Sequence, residues 1–92
     1  MQFYTIDGAC MTDRKAAHAH LKTALRLPDY YGGNLDALHD CLTEGFGDAI
    51  VMLRHESAMR ESLGRYADSL LRVMRDAARE SGLRFFVDPS YR

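Results

Sequence analysis

Residues 49–53 read Ala-Ile-Val-Met-Leu, five apolar side chains in succession. A continuous apolar run of strand length suits a strand buried on both faces, which is the habit of parallel sheets. The chain on either side is helical in pattern. Upstream, Gly45 and Gly47 stop a helix over Leu35 to about Glu44, for which Asn34 is a favourable N-cap. Pro28 to Gly33 forms a loop before it. A further helix runs from a cap at Thr12 or Asp13 to about Arg26, with Ala17, Leu21, Ala24 and Leu25 at helical spacing and Pro28 ending it. The aromatic and branched stretch Gln2 to Ile6, closed by Asp7-Gly8, reads as a strand and turn.

Downstream of the run, a short helix over about Glu56 to Leu63 is broken by Gly64. A longer helix from about Tyr66 to Ser81 buries Ala67, Leu70, Leu71, Met74, Ala77 and Ala78 on one stripe, and Gly82 ends it. Leu83 to Val87 is the last strand, closed by Pro89. No tight hairpin joins any two strands in this order of strand, two helices, strand, two helices, strand. Helical connections of that length favour parallel strands joined by right-handed crossovers. The expected class is α/β, a three-stranded parallel sheet packed by helices in one domain over residues 1–92. The order of the strands stays open.

Composition sets the outer limits. At 92 residues, 47% hydrophobic and 27% charged, the chain has the make-up of an ordinary folded domain large enough for a modest core. Its apolar runs are too short to span a bilayer, and the start MQFYTIDG lacks the basic flank and apolar stretch of a secretory signal. Cys10 and Cys41 form neither a metal nor a redox motif, so free thiols in a reducing cytoplasm are expected.

Net charge is only −1, but its distribution is uneven. Residues 27–48, LPDYYGGNLDALHDCLTEGFGD, hold Asp29, Asp36, Asp40, Glu44 and Asp48 and not one lysine or arginine. Nucleic acid is disfavoured as a partner at that end, because phosphates would be repelled. With about 100° per residue, Leu35, Leu38 and Leu42 fall on one side of the helix, while Asp36, His39, Asp40 and Thr43 fall on the other. Asp36 and Asp40 stand one turn apart, an arrangement that opposes helix formation by a few tenths of a kcal/mol; a lysine there would be more stable. Tyr30 and Tyr31 add contact area beside these acids, and Gly32-Gly33 lets the loop backbone lie close to another surface.

Catalytic and metal chemistry find little support. His39 and Cys41 lie about 200° apart on one helix and cannot form a dyad. His18 and His20 share that spacing and are expected at the surface. Asp36 and Asp40 have the types of an acid/base pair but sit on an exposed face. No calcium- or magnesium-loop spacing appears, and no cofactor or metal ligand set is assigned.

The stretch LPDYYGGNLDALHDCLT closely resembles the signature of the barstar family, intracellular inhibitors of barnase-type bacterial ribonucleases. The matching positions are Pro28, Tyr30, Tyr31, Gly32, Asn34, Leu35, Asp36, Ala37, Leu38, Asp40, Leu42 and Thr43. The resemblance implies a barstar-like fold with a three-stranded parallel sheet, no enzymatic activity of its own, and a 1:1 complex between a cytoplasmic monomer and a small ribonuclease. The partner-facing residues it implies are Tyr30, Tyr31, Gly32, Asn34, Leu35, Asp36, His39, Asp40, Thr43 and Asp76. Asp40 would stand where a phosphate binds, Asp36 would meet a second basic side chain, and Tyr30 would stack near the enzyme's catalytic histidine. Asp76, on the last long helix, has Arg72 and Arg79 within helical reach, which points to an intramolecular pair instead. The chain departs from the pattern at His39, where well-known members carry tryptophan, and after Thr43, where Phe46 is the nearest aromatic. A regulatory module of the same fold, binding some other cytosolic protein, is the alternative.

Overall fold

The computed structural model describes residues 2–89. Strand β1 (Gln2–Asp7) leads through a 3-10 turn at Gly8–Cys10 into α1 (Arg14–Ala24) and α2 (Leu35–Gly45). Then come β2 (Ala49–Arg54), α3 (Glu56–Leu63), α4 (Arg65–Ser81) and β3 (Arg84–Val87). All strand pairs are parallel, in the order β1-β2-β3. The chain is thus a small α/β fold of the expected class.

That strand order has a consequence for the helices. Two successive right-handed crossovers that step in the same direction put both helix pairs on one face of the sheet. Exposure follows this arrangement. Ala49, Val51 and Leu53 of β2 are buried together with Ile6 of β1, and Tyr4, Phe85 and Val87 pack at the margin of that core. On the other face Phe3 is 63% and Phe86 49% exposed, with Ile50 and Met52 between them only half-buried. The run 49–53 is therefore buried on one face and partly open on the other, not buried on both. Its unbroken apolar sequence reflects its central place in the sheet rather than a second helical layer.

Local signals fix most helix ends. The Asp13 carboxylate accepts the Ala16 N–H at 2.7 Å and caps α1. The end of α1 is made by its own backbone, two residues before Pro28. Arg26 adopts φ 55°, and the N–H groups of Leu27 and Arg26 donate to Lys22 O (2.9 Å) and Thr23 O (3.3 Å). This is a Schellman ending built on an arginine instead of a glycine. Gly8 is required by close approach: a Cβ there would lie 2.2 Å from the carbonyl oxygen of His55.

Two histidines expected at the surface are engaged instead. His20 Nε2 accepts the Asp7 N–H at 2.8 Å, tying α1 to the end of β1. His18 is only 6% exposed and is the one buried polar residue among those described. Helical spacing places positions 17, 18 and 21 on the same inward stripe, so His18 enters the core edge wherever polar partners can meet it. Two tyrosines do so.

Candidate functional site: an acidic loop and helix

The segment joining α1 to α2 is folded by its own short-range bonds. The Tyr31 N–H donates to Pro28 O at 2.9 Å, closing a turn that throws Tyr30 outward, 85% exposed. Gly33 sits at φ 70°, a conformation that side chains with a Cβ rarely adopt. Asn34 then caps α2, its side-chain oxygen accepting the Ala37 N–H at 2.8 Å. Loop and helix therefore meet at a fixed angle. Tyr31 turns inward, its hydroxyl 2.5 Å from His18 Nδ1, while His18 Nε2 lies 2.6 Å from the Tyr66 hydroxyl on α4. Burial pushes the Tyr31 hydroxyl pKa well up, and Tyr66 and Cys41 add to the rise. Burial also lowers the pKa of His18.

On α2, Leu38 and Leu42 are fully buried in the core, with α4 lying alongside. Leu35 is half-buried at the start of the helix. Asp36, Asp40 and Glu44 face outward and exposed. Thr43 is half-buried, and its hydroxyl donates back to His39 O at 2.9 Å and Asp40 O at 3.3 Å, so it is already engaged within the helix. His39 lies across the junction of the two helices: Nε2 is 3.2 Å from Glu80 Oε1 on α4, and Nδ1 is 4.0 Å from Asp40. A tryptophan's indole has one N–H and no second ring nitrogen, so it could not face both carboxylates as His39 does.

The electrostatic setting separates these acids from the others. Among the described residues, no lysine or arginine forms an ion pair with Asp29, Asp36, Asp40, Glu44 or Asp48. Elsewhere Glu56 and Asp68 share Arg60, Asp88 pairs with Arg54, and Asp7 with His55. Asp76 is bonded to Arg79, so the intramolecular reading of that residue holds.

Between the loop and α2 lies a groove of about 460 Å³, lined among others by Pro28, Tyr30, Tyr31, Asp40, Glu44 and Phe46. Phe46 packs on Tyr4 with ring centroids 5.1 Å apart, so it anchors the floor of this region to β1. Cys41 also lines the groove, but burial, with Asp40 and Glu44, raises its thiol pKa, which keeps it a poor nucleophile. The groove sets aromatic surface beside carboxylates that no lysine or arginine among the described residues pairs with, and Arg26 also lines it; aromatic faces and carboxylates both suit a flat cationic side chain. Among the described residues no group of three or more His, Cys, Asp and Glu is placed to hold a metal ion. No helix among them is long and apolar enough to cross a membrane.

Of the residues singled out by sequence, the structure gathers Tyr30, Tyr31, Gly32 and Asp40 around this groove. Asn34, Leu35, Asp36, His39 and Thr43 belong to the adjoining start and outer side of α2. Asp76 lies apart on α4, neutralised. Glu80, which was not among the residues singled out, is the acid that His39 reaches; one helical turn separates it from Asp76, and that spacing was the available signal.

Residues 1–89 match the family described as Barstar (barnase inhibitor). The chain is also 42% identical over 82 residues to a Bacillus subtilis (strain 168) protein named "Putative ribonuclease inhibitor YrdF", covering 87% of this chain and 89% of that protein. The chain belongs to the barstar family.

Proposed function

We propose that this member of the barstar family inhibits a small bacterial ribonuclease by laying loop 28–34 and the outer side of α2 over the enzyme's basic active site. The observation that carries the reading is the set of five carboxylates in residues 27–48 with which no lysine or arginine among the described residues forms an ion pair. A ribonuclease active site must hold RNA phosphates and so concentrates arginine, lysine and histidine. Asp40 occupies the place of a phosphate there and takes charge-assisted hydrogen bonds from those groups. Asp36 meets a second basic side chain. Tyr30, already exposed, covers a catalytic imidazole, and the groove behind it accepts a flat cation. Inhibition is occlusion: substrate is kept out, and no bond is made or broken by this chain.

The same reading treats residues 1–92 as one domain acting as a monomer in a 1:1 complex. It places the protein in the cytoplasm, where its free thiols Cys10 and Cys41 would stay reduced and a nuclease would endanger its producer. The test is a titration of purified protein into a panel of small bacterial ribonucleases at low ionic strength, with RNA cleavage as the readout. The expected result is loss of activity that completes near one equivalent for at least one enzyme. Full activity of every enzyme at micromolar protein rejects the proposal and favours a regulatory module with a different partner.

A further inference from the structure

The hydroxyl of Tyr66 is the far end of a three-residue chain that begins in the proposed ribonuclease-facing loop. Tyr31, His18 and Tyr66 come from the loop, α1 and α4, and are joined by contacts of 2.5 and 2.6 Å. His18 is 6% exposed, and no carboxylate hydrogen-bonds or ion-pairs with it among the described residues. A neutral imidazole offers one N–H donor and one bare nitrogen. The two tyrosines must therefore play opposite roles: one donates into the ring, and the other accepts from it.

The contacts are compatible with either assignment. Among the described residues His18 Nδ1 is the only hydrogen-bond partner of the Tyr31 hydroxyl, and Nε2 the only one of the Tyr66 hydroxyl. In both assignments one ring nitrogen is protonated and the other bare, so the chain holds a single tautomer. The Arg14 guanidinium stacks on the Tyr66 ring at 4.4 Å.

We propose that Tyr66 is a positioning residue for loop 28–34: its hydroxyl, bonded to His18 Nε2, holds the ring in one orientation and one tautomer, and Nδ1 then holds Tyr31 and the loop that carries Tyr30. What the loop is positioned for rests on the inhibitor reading above; the tether itself does not. The stacked Arg14 keeps the Tyr66 ring in place, and the backbone of Gly33 passes over His18, where a Cβ would lie 4.0 Å from the histidine's own. The other titratable group beside this chain is Cys41 on α2, near Tyr31. Protonation of His18 would make both ring nitrogens donors, and both tyrosine hydroxyls would then have to accept from it.

The test is the conservative variant Tyr66→Phe, which removes one oxygen and leaves the ring under Arg14. In the unliganded wild-type protein, nitrogen-15 NMR at neutral pH is expected to show His18 in a single neutral tautomer, one ring nitrogen protonated and the other bare. In Tyr66→Phe the single tautomer is lost, and amide exchange over residues 29–34 quickens by about two- to tenfold, the net worth of one hydrogen bond, while the sheet amides keep their protection. For a barnase-type ribonuclease that the wild type inhibits, the dissociation constant rises by about the same factor, and Tyr31→Phe adds no further loss when combined with Tyr66→Phe. A wild-type His18 that populates both neutral tautomers evenly overturns the proposal. So does faster exchange spread evenly over the whole chain, or a loop unchanged by the substitution. Should the wild type inhibit no ribonuclease, the functional reading falls, while the tautomer and the exchange pattern still decide the tether.

Discussion

Helices α2 and α4 share a packing interface and handle their charges in opposite ways. On α4, Arg72, Arg75 and Arg79 are interleaved with Asp68 and Asp76; Arg79 binds Asp76, and Asp68 is held by Arg60 of α3. On α2, Asp36, Asp40 and Glu44 follow one another at helical spacing with no lysine or arginine to meet them. Each like-charge pair at that spacing costs a few tenths of a kcal/mol, and each opposite pair returns a similar amount. Selection for stability alone would have treated both helices as α4 is treated. On the proposed reading, the charges that neutralise α2 belong to another molecule.

The largest expected effect tests what the two helices share. Leu42 is fully buried, and Leu42→Ala should lower the free energy of unfolding by about 2–5 kcal/mol, read by denaturant titration. A loss below 1 kcal/mol would mean that α2 is not anchored as described, and its acidic side would have no fixed presentation.

Next in size is the contrast itself. If Asp40 enters a desolvated basic pocket as proposed, Asp40→Ala should weaken ribonuclease binding by about 2 kcal/mol or more, roughly thirtyfold. The barnase–barstar complex is itself an established instance of such acidic hot spots, and the magnitude is taken from complexes of that kind. Asp76→Ala should cost less than about threefold, since Arg79 already neutralises it at an exposed site. Equal losses in a competition assay would erase the difference between the helices.

The smallest effect concerns the tether behind the loop. Burial lowers the His18 pKa from its ordinary 6.5, so the unfolded chain takes up a proton first as pH falls. The stability tied to neutral His18 is complete above about 6.5 and is lost as pH drops from there through the lower folded-state value. The slope from this one group cannot exceed about 1.4 kcal/mol per pH unit. Denaturant melts of wild type and His18→Gln across pH 5–8 should differ in slope below 6.5 and run parallel above it; parallel curves throughout would remove His18 from the titration.

Much of the site was legible because it is built locally. Asn34 caps α2 through a bond three residues long, the Asp36–Asp40 spacing is a property of any helix, and the exclusion of basic residues from 27–48 is plain in the order of letters. Asp76 could be assigned to an intramolecular pair because Arg79 lies within one turn. His18 could not be placed in the same way. Its partners are 13 and 48 residues distant, so its burial depends on how the loop and α4 come together. Glu80 was not legible for the same reason: its contact with His39 crosses between helices.

By itself, the sequence determined a parallel α/β arrangement, because paired helices between strands allow no antiparallel hairpin, and it determined the acidic edge of α2. Only the tertiary structure decided the order β1-β2-β3. With it came the gathering of all helices on one face, the open side around Phe3 and Phe86, and the neutral histidine behind the loop. Helix caps and spacings are settled within a few residues, whereas strand order and burial are settled by sums of contacts between segments far apart in the chain, which no short stretch encodes.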